Sequence, residues 1–245
     1  MITQYHRPLT LDYAIALIAR PDAVVLAGGT SVNSAPGRAA QTAVDLQALD
    51  LAGIDVEGDT VRIGATTRLQ NLADSALVPP VLRDLARREA PNTIRAMATV
   101  GGTIGTADPE SELLAGLLAF GAGVTLARAG SPTEHPLEDV LGDVSLSNGA
   151  IITAVTIPTS GRAAADRAAR TPMDRPIVMA VAYSDGPGVR LAMTGVASTP
   201  VIVDPGRIGD LDPPPDFRGT SAYRSALAQV LADRVVAAVT GGGSS

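Results

Sequence analysis

Two stretches of the chain place Gly-Gly-Thr directly after an apolar run, and this repeat constrains the fold more than any other feature. The first is VVLAGGTSV at 24–32, and the second is ATVGGTIGTADPESEL at 98–113. Adjacent glycines cost backbone entropy on folding and weaken the element that contains them. A loop without Cβ atoms lets N–H groups approach an anion, and a threonine hydroxyl adds a donor. We therefore expect the fold to bring both loops onto the two phosphates of a dinucleotide.

A second interpretation of the glycine pairs stays open, because each pair also suits a tight turn after a strand. One pair alone favours the turn, whereas the recurrence favours binding. The chain has neither G-x-G-x-x-G followed by an acidic residue nor G-x-x-x-x-G-K-[ST]. A Rossmann site or a P-loop is therefore not indicated.

Composition narrows the class of protein. A chain of 245 residues that is 46% hydrophobic and 18% charged is globular and long enough for two small domains. Its net charge of −6 argues against nucleic acid as a partner. Without cysteine it holds no disulfide, no thiolate-bound zinc and no iron–sulfur cluster. His6 and His135 lie far apart in sequence, so we expect neither a histidine metal site nor a catalytic triad.

The ends and the apolar runs predict a cytoplasmic protein. The opening MITQYHRPLTLDYA lacks the basic start and apolar core of a signal peptide. The run LLAGLLAFGAGVTLA at 113–127 is too short and too rich in glycine to span a bilayer. We therefore expect no integral membrane segment.

The apolar periodicity predicts an α+β fold. We expect helices at 10–20, 68–75, 79–89, 111–121 and 220–239, and strands at 23–27, 42–46, 53–58, 60–65, around GVTLAR and AIITAVTIP, and three more between 176 and 203. The region 99–112 reads as a glycine-rich loop, and PLEDVL reads as part of a loop. The Ala/Arg stretch GRAAADRAARTPMDRP reads as the boundary between two halves.

Several segments together resemble one family. The two Gly-Gly-Thr stretches, YHRPLTLDYAIALIA, DLQALDLAGIDVEGDTVRIGATT, PLEDVL, MTGVASTPVIV and GTSAYRSALAQVLADRVV are similar, in this order, to the FAD-binding (medium) subunit of the molybdenum hydroxylases, the carbon monoxide dehydrogenase and xanthine dehydrogenase family. The resemblance implies a two-subdomain FAD-binding fold of the PCMH type with a small C-terminal domain of antiparallel sheet plus helices. It implies an FAD-binding domain over 1–170 with a break near 52, a C-terminal domain over 171–240 and a flexible tail over 241–245.

The resemblance also implies a function. The chain is expected to be an oxidoreductase subunit that holds FAD and is inactive alone, with no catalytic acid or base. Its partners are expected to be an iron–sulfur small subunit and a molybdopterin large subunit, with NAD, a quinone or oxygen as electron acceptor. Two alternatives stay open: a flavin-free scaffold subunit of such a complex, and a stand-alone flavin reductase of related fold.

Site residues follow from the resemblance. The diphosphate is expected to contact the first stretch through Leu26, Ala27, Gly28, Gly29, Thr30 and Ser31, and the second through Thr99, Gly101, Gly102 and Thr103. Glu112, with Ser111 and Asp108 nearby, is expected on the ribose or adenine side. Asp108 and Glu112 are also explained as charges at the start of the following helix. Arg167 is expected to place a cation near the flavin, and Ile152 or Ile104 to pack on the isoalloxazine.

Overall fold

Three β-sheets and the helices packed on them make up residues 2–31 and 41–241, which are the residues that this computed structural model describes. The strands are β1 (Ile2–His6), β2 (Ala23–Leu26), β3 (Gln41–Asp45), β4 (Ile54–Glu57), β5 (Thr60–Gly64), β6 (Gly123–Ala127), β7 (Thr133–Pro136), β8 (Ile151–Pro158), β9 (Arg162–Ala168), β10 (Val178–Ser184), β11 (Arg190–Thr194) and β12 (Val201–Val203). The helices are α1 (Leu11–Ile18), α2 (Leu69–Asp74), α3 (Pro80–Glu89), α4 (Asn92–Arg95), α5 (Val100–Thr106), α6 (Glu112–Ala119), α7 (Leu137–Gly142), α8 (Val144–Ser147) and α9 (Ser221–Thr240). Val32 of the first stretch and the predicted tail beyond Gly241 lie outside the described residues.

The N-terminal sheet carries the first Gly-Gly-Thr motif. Its order is β1-β3-β2, and both outer strands run parallel to β3. Helix α1 begins after Thr10, whose hydroxyl accepts a hydrogen bond from the Tyr13 N–H, and it buries Ala14 and Leu17 against this sheet. Strand β2 ends at Leu26, so the motif follows the strand directly.

The second sheet is antiparallel, in the order β4-β5-β8-β6-β7. The Ala65 N–H, just after β5, donates to the Thr153 carbonyl of β8 at 3.0 Å. This bond places the start of β8 beside the segment that carries the second Gly-Gly-Thr motif, because the Gly101 N–H donates to the Ala65 carbonyl.

Helix α6 is buried along its whole length and lies between α3 and the third sheet. That sheet is antiparallel in the order β12-β11-β10-β9, and α9 covers its other face. Strand β10 is buried on both sides, with Val181 in the core around α6 and Ala180 in the core under α9. The sheet therefore has two apolar faces, which explains why β10 reads as a continuous apolar run.

The α+β class is confirmed, and most predicted elements are present with bounds shifted by a few residues. Four elements, β1, α4, β7 and α8, were not predicted, and three other segments differ from the prediction. The region 99–112 contains α5, PLEDVL forms α7, and the predicted boundary stretch contains β9. Since β9 pairs with β10, the third sheet begins at Arg162, before the boundary predicted at 170. We propose that the domain boundary lies near 160.

Helix α5 was missed because Gly101 and Gly102 have poor helix propensity. The helix is stabilised by a Thr99 cap and by burial of Val100 and Ile104 one turn apart. Within the described residues, no helix combines the length and the apolar character that a bilayer span needs.

Candidate cofactor site

The two Gly-Gly-Thr motifs contact each other. A Cβ added to Gly28 would lie 2.2 Å from the Met97 carbonyl oxygen, so this position accepts only glycine without a backbone shift. The Gln47 side-chain amide donates to the Ala27 carbonyl at 2.9 Å, and the Arg68 guanidinium donates to the Met97 carbonyl. The prediction that the fold brings both motifs together is confirmed.

A cleft of about 730 Å³ lies between the motifs and runs along α5. This volume falls in the range of small-molecule and cofactor sites. The predicted residues that line it are Ala27, Gly28, Gly29, Thr30, Ser31, Thr99, Gly101, Gly102, Thr103, Asp108 and Ile152. The cleft therefore unites residues from β2, β8, α5 and the connections that follow them.

The first loop (residues 27–31) offers backbone donors to the cleft. Gly29 has a φ of +73°, which turns the chain sharply after β2. Within the part of the chain that the structure describes, the N–H groups of Gly28, Gly29 and Thr30 have no hydrogen-bond acceptor. Successive unpaired N–H groups on a concave wall form the kind of donor set that binds phosphate.

The second segment (residues 97–103) uses its N–H groups within the protein. These bonds run from Val100 to the Thr67 carbonyl at 3.0 Å, from Gly101 to the Ala65 carbonyl at 2.8 Å, from Gly102 to the Thr99 hydroxyl at 3.1 Å and from Thr103 to the Thr99 carbonyl at 2.9 Å. The structure thus differs from the expectation that Gly101 and Gly102 donate to a ligand. A Cβ on Gly101 would lie 2.8 Å from the Ala65 Cβ, so this glycine permits close packing on β5.

Hydroxyl groups add to the wall of the cleft. Among the residues described, the Thr30 and Thr66 hydroxyls have no hydrogen-bond partner, and both threonines line the cleft. The Thr103 and Thr106 hydroxyls donate to the Thr99 and Gly102 carbonyls at 3.2 and 2.8 Å. Thr30 and Thr66 therefore offer hydroxyl donors to a phosphate.

One end of the cleft is apolar. Near the first turn of α5 it is lined by Leu46, Ala65, Ala150, Ile151 and Ile152. Ile104, the other isoleucine considered from the sequence, is 2% exposed and belongs to the central core. Of the two, only Ile152 lies on the cleft wall.

The opposite end is charged. Arg175 lies there with its guanidinium 3.3 Å from the Asp108 carboxylate and 3.8 Å from the Glu89 carboxylate. Burial raises the pKa of Glu89, although the Leu113 N–H donates to this carboxylate at 2.9 Å. Arg175 is the one cation that lines the cleft within residues 2–31 and 41–241. Sequence reasoning missed it because its loop meets α5 only in the folded chain.

Besides Ile104, four predicted site residues do not line the cleft. Leu26 ends β2, and Ser111 caps α6 by accepting from the Leu114 N–H at 3.0 Å. The buried Glu112 carboxylate pairs with Arg88 at 2.8 Å and with Arg167. The placement of Glu112 and Arg167 as flavin contacts stays a prediction, and in the structure they bind each other.

Comparisons with known proteins show the family of this chain. Residues 1–160 match the family model described as the FAD binding domain in molybdopterin dehydrogenase. The chain belongs to this family. It carries the FAD-binding domain of the molybdenum hydroxylase medium subunits, and the resemblance seen in the sequence is confirmed.

Relatives cover nearly the whole chain. YgfM, an uncharacterized protein of Escherichia coli (strain K12), is 32% identical, and the alignment covers 94% of each chain. The carbon monoxide dehydrogenase medium chain of Hydrogenophaga pseudoflava is 26% identical over 95% of each. In fold, the chain is similar to a structure of carbon monoxide dehydrogenase from the same organism that lacks the Mo-pyranopterin moiety, with a TM-score of 0.89, 24% identity and 97% of each chain covered.

Proposed function

We propose that this chain is the FAD-binding electron-transfer subunit of a molybdenum hydroxylase-type dehydrogenase complex. The observation that carries the proposal is the set of Gly28, Gly29 and Thr30 amides, which find no acceptor among the described residues and lie on the wall of a cofactor-sized cleft. When bound, FAD supplies the redox chemistry, and the protein contributes position and electrostatics.

The chain's own residues suit the parts of FAD. The first-loop amides and the Thr30 and Thr66 hydroxyls are donors for the diphosphate, in place of the symmetric pair of loops expected from the sequence. The exposed face of Gly105 leaves open space beside α5, because a Cβ there would meet no atom of the described residues within 4 Å. A planar or extended ligand can therefore lie against this helix without displacing protein atoms.

Partners follow from the family. We propose an iron–sulfur subunit as electron donor, a molybdopterin subunit behind it, and NAD, a quinone or oxygen as acceptor. The relative from Hydrogenophaga is a medium chain of carbon monoxide dehydrogenase, and this chain has no cysteine to hold an iron–sulfur cluster itself. A cytoplasmic location stays a prediction.

Coexpression tests the proposal. The chain is expected to copurify with the two partner subunits of its own organism, and the complex is expected to contain one FAD per copy of this chain. A complex that assembles without FAD would instead indicate a scaffold subunit. Robust substrate oxidation by the isolated chain would contradict the electron-transfer role and indicate a stand-alone reductase.

A further inference from the structure

The charged end of the cleft has no role in the phosphate contacts described above. Arg175 lines this end together with Asp108 and Glu89. We propose that Arg175 faces the isoalloxazine ring of bound FAD and favours the reduced, anionic form of the ring. This proposal rests on the proposed function.

The length of α5 separates the phosphate donors from Arg175. Gly28 contacts Met97 just before the Thr99 cap, whereas Asp108 follows the last turn of the helix. The seven residues of α5 span roughly 10 Å at the usual rise per residue. Arg175 therefore contacts a part of the ligand that is separated from the diphosphate. In FAD a ribitol chain separates the isoalloxazine ring from the diphosphate in this way.

The charge of each half of FAD indicates which half binds at the Arg175 end of the cleft. Uptake of two electrons and one proton adds one negative charge to the isoalloxazine, whereas adenine keeps its charge throughout. In the proposed function the electrons come from an iron–sulfur subunit. A cation stabilises the ring that becomes negative, and the apolar end around Ile152 suits a neutral adenine. This assignment reverses the pairing of Ile152 with the isoalloxazine expected from the sequence.

Arg175 is held in place by its own loop. Arg167 donates to the Pro172 carbonyl at 2.7 Å and to the Asp174 carbonyl at 3.1 Å, and it is itself held by the buried Glu112. These bonds fix the backbone immediately before Arg175. Glu112 and Arg167 thus position the cation that the cleft presents.

The partners of Arg175 leave it able to act on a ligand. Its distance of 3.8 Å from the Glu89 carboxylate is longer than a hydrogen bond, and its bonds to the Asp108 carboxylate and to the Glu110 carbonyl are both long at 3.3 Å. Burial raises the pKa of Glu89, which reduces the negative charge this residue sets against the guanidinium.

Two variants of the full chain test the proposal through the reduction potential of bound FAD and through ADP affinity. In Arg175→Gln, reduced FAD is expected to lose about tenfold in affinity relative to oxidised FAD, the scale of one charge-assisted hydrogen bond. That ratio lowers the potential by about 30 mV. In Asp108→Asn the potential is expected to rise, because the guanidinium loses an opposing charge. ADP affinity is expected to stay within twofold in Arg175→Gln.

Arg170→Gln is the matched control. Arg170 lies on the same loop, pairs with Asp174 at 3.1 Å and does not line the cleft, so the potential is expected to stay unchanged. Arg175→Lys is expected to keep part of the effect. An unchanged potential in both Arg175→Gln and Asp108→Asn would overturn the proposal, as would an equal loss of FAD and ADP affinity. Failure of the unaltered chain to bind FAD would overturn the proposed function itself.

Discussion

A substitution at Gly105 distinguishes an effect on ligand binding from an effect on stability better than a substitution at the other glycines of the cleft. Gly105 lies in α5, is exposed and lines the cleft, and an added Cβ would meet no atom within 4 Å in the part of the chain that the structure describes. Replacing a helical glycine by alanine stabilises the protein by about 0.5–1 kcal/mol, and a β-branched residue in place of the alanine lowers the stability again by about half a kcal/mol. Gly105→Val is therefore expected to leave the unfolding free energy of the apo protein unchanged within about 0.5 kcal/mol.

The same valine occupies space that the ligand needs. We expect FAD affinity to fall at least tenfold, which corresponds to about 1.4 kcal/mol. Calorimetric titration with FAD and urea unfolding of the apo protein measure the two quantities separately. Gly142→Val is the control, since Gly142 ends α7 outside the cleft and its added Cβ also meets no atom of residues 2–31 and 41–241 within 4 Å. Unchanged FAD affinity in Gly105→Val would refute the placement of the ligand along α5.

Two further predictions concern stability. Burial raises the pKa of Glu89, so the stabilising contribution of Glu89 is present below its unfolded-state pKa, about 4.3, and is lost as pH rises through its folded-state pKa. Urea unfolding across pH should show the wild type losing stability relative to Glu89→Gln as pH rises. A constant difference in unfolding free energy between the two proteins would contradict this prediction. Ala107 has a φ of 47° where α5 ends, a left-handed conformation that strains any residue with a Cβ. Ala107→Gly is therefore expected to stabilise the apo protein by about 1 kcal/mol. An unchanged or lowered melting temperature would show that Ala107 is not strained.

The sequence predicted the contact between the two motifs but not what each motif does. Short-range patterns showed that glycine pairs follow β2 and precede the α6 region. They did not show that Gly28 makes room for the Met97 carbonyl or that Gly101 packs on Ala65, since both partners lie far away along the chain. Whether an amide is free for a ligand depends on such tertiary partners.

The residues at the charged end of the cleft could likewise not be predicted from the sequence alone. Arg167 and Glu112 were expected at the ligand from their positions in the family pattern, and the fold pairs them with each other. Arg175 lies eight residues after Arg167 on a loop with no periodic signal. Its position in the cleft depends on the loop carbonyls that Arg167 holds, which no local pattern encodes.

Titration of the purified full chain with FAD and with FMN, followed by calorimetry and by the visible spectrum, tests the central claim most directly. We expect one FAD to bind per chain with perturbed flavin bands, and FMN to bind far more weakly, because FMN lacks the second phosphate and the adenosine that the first loop and the apolar end would hold. Absence of FAD binding by a chain whose cooperative unfolding shows an intact fold, or equal affinity for FMN and FAD, would contradict the assignment of the cleft.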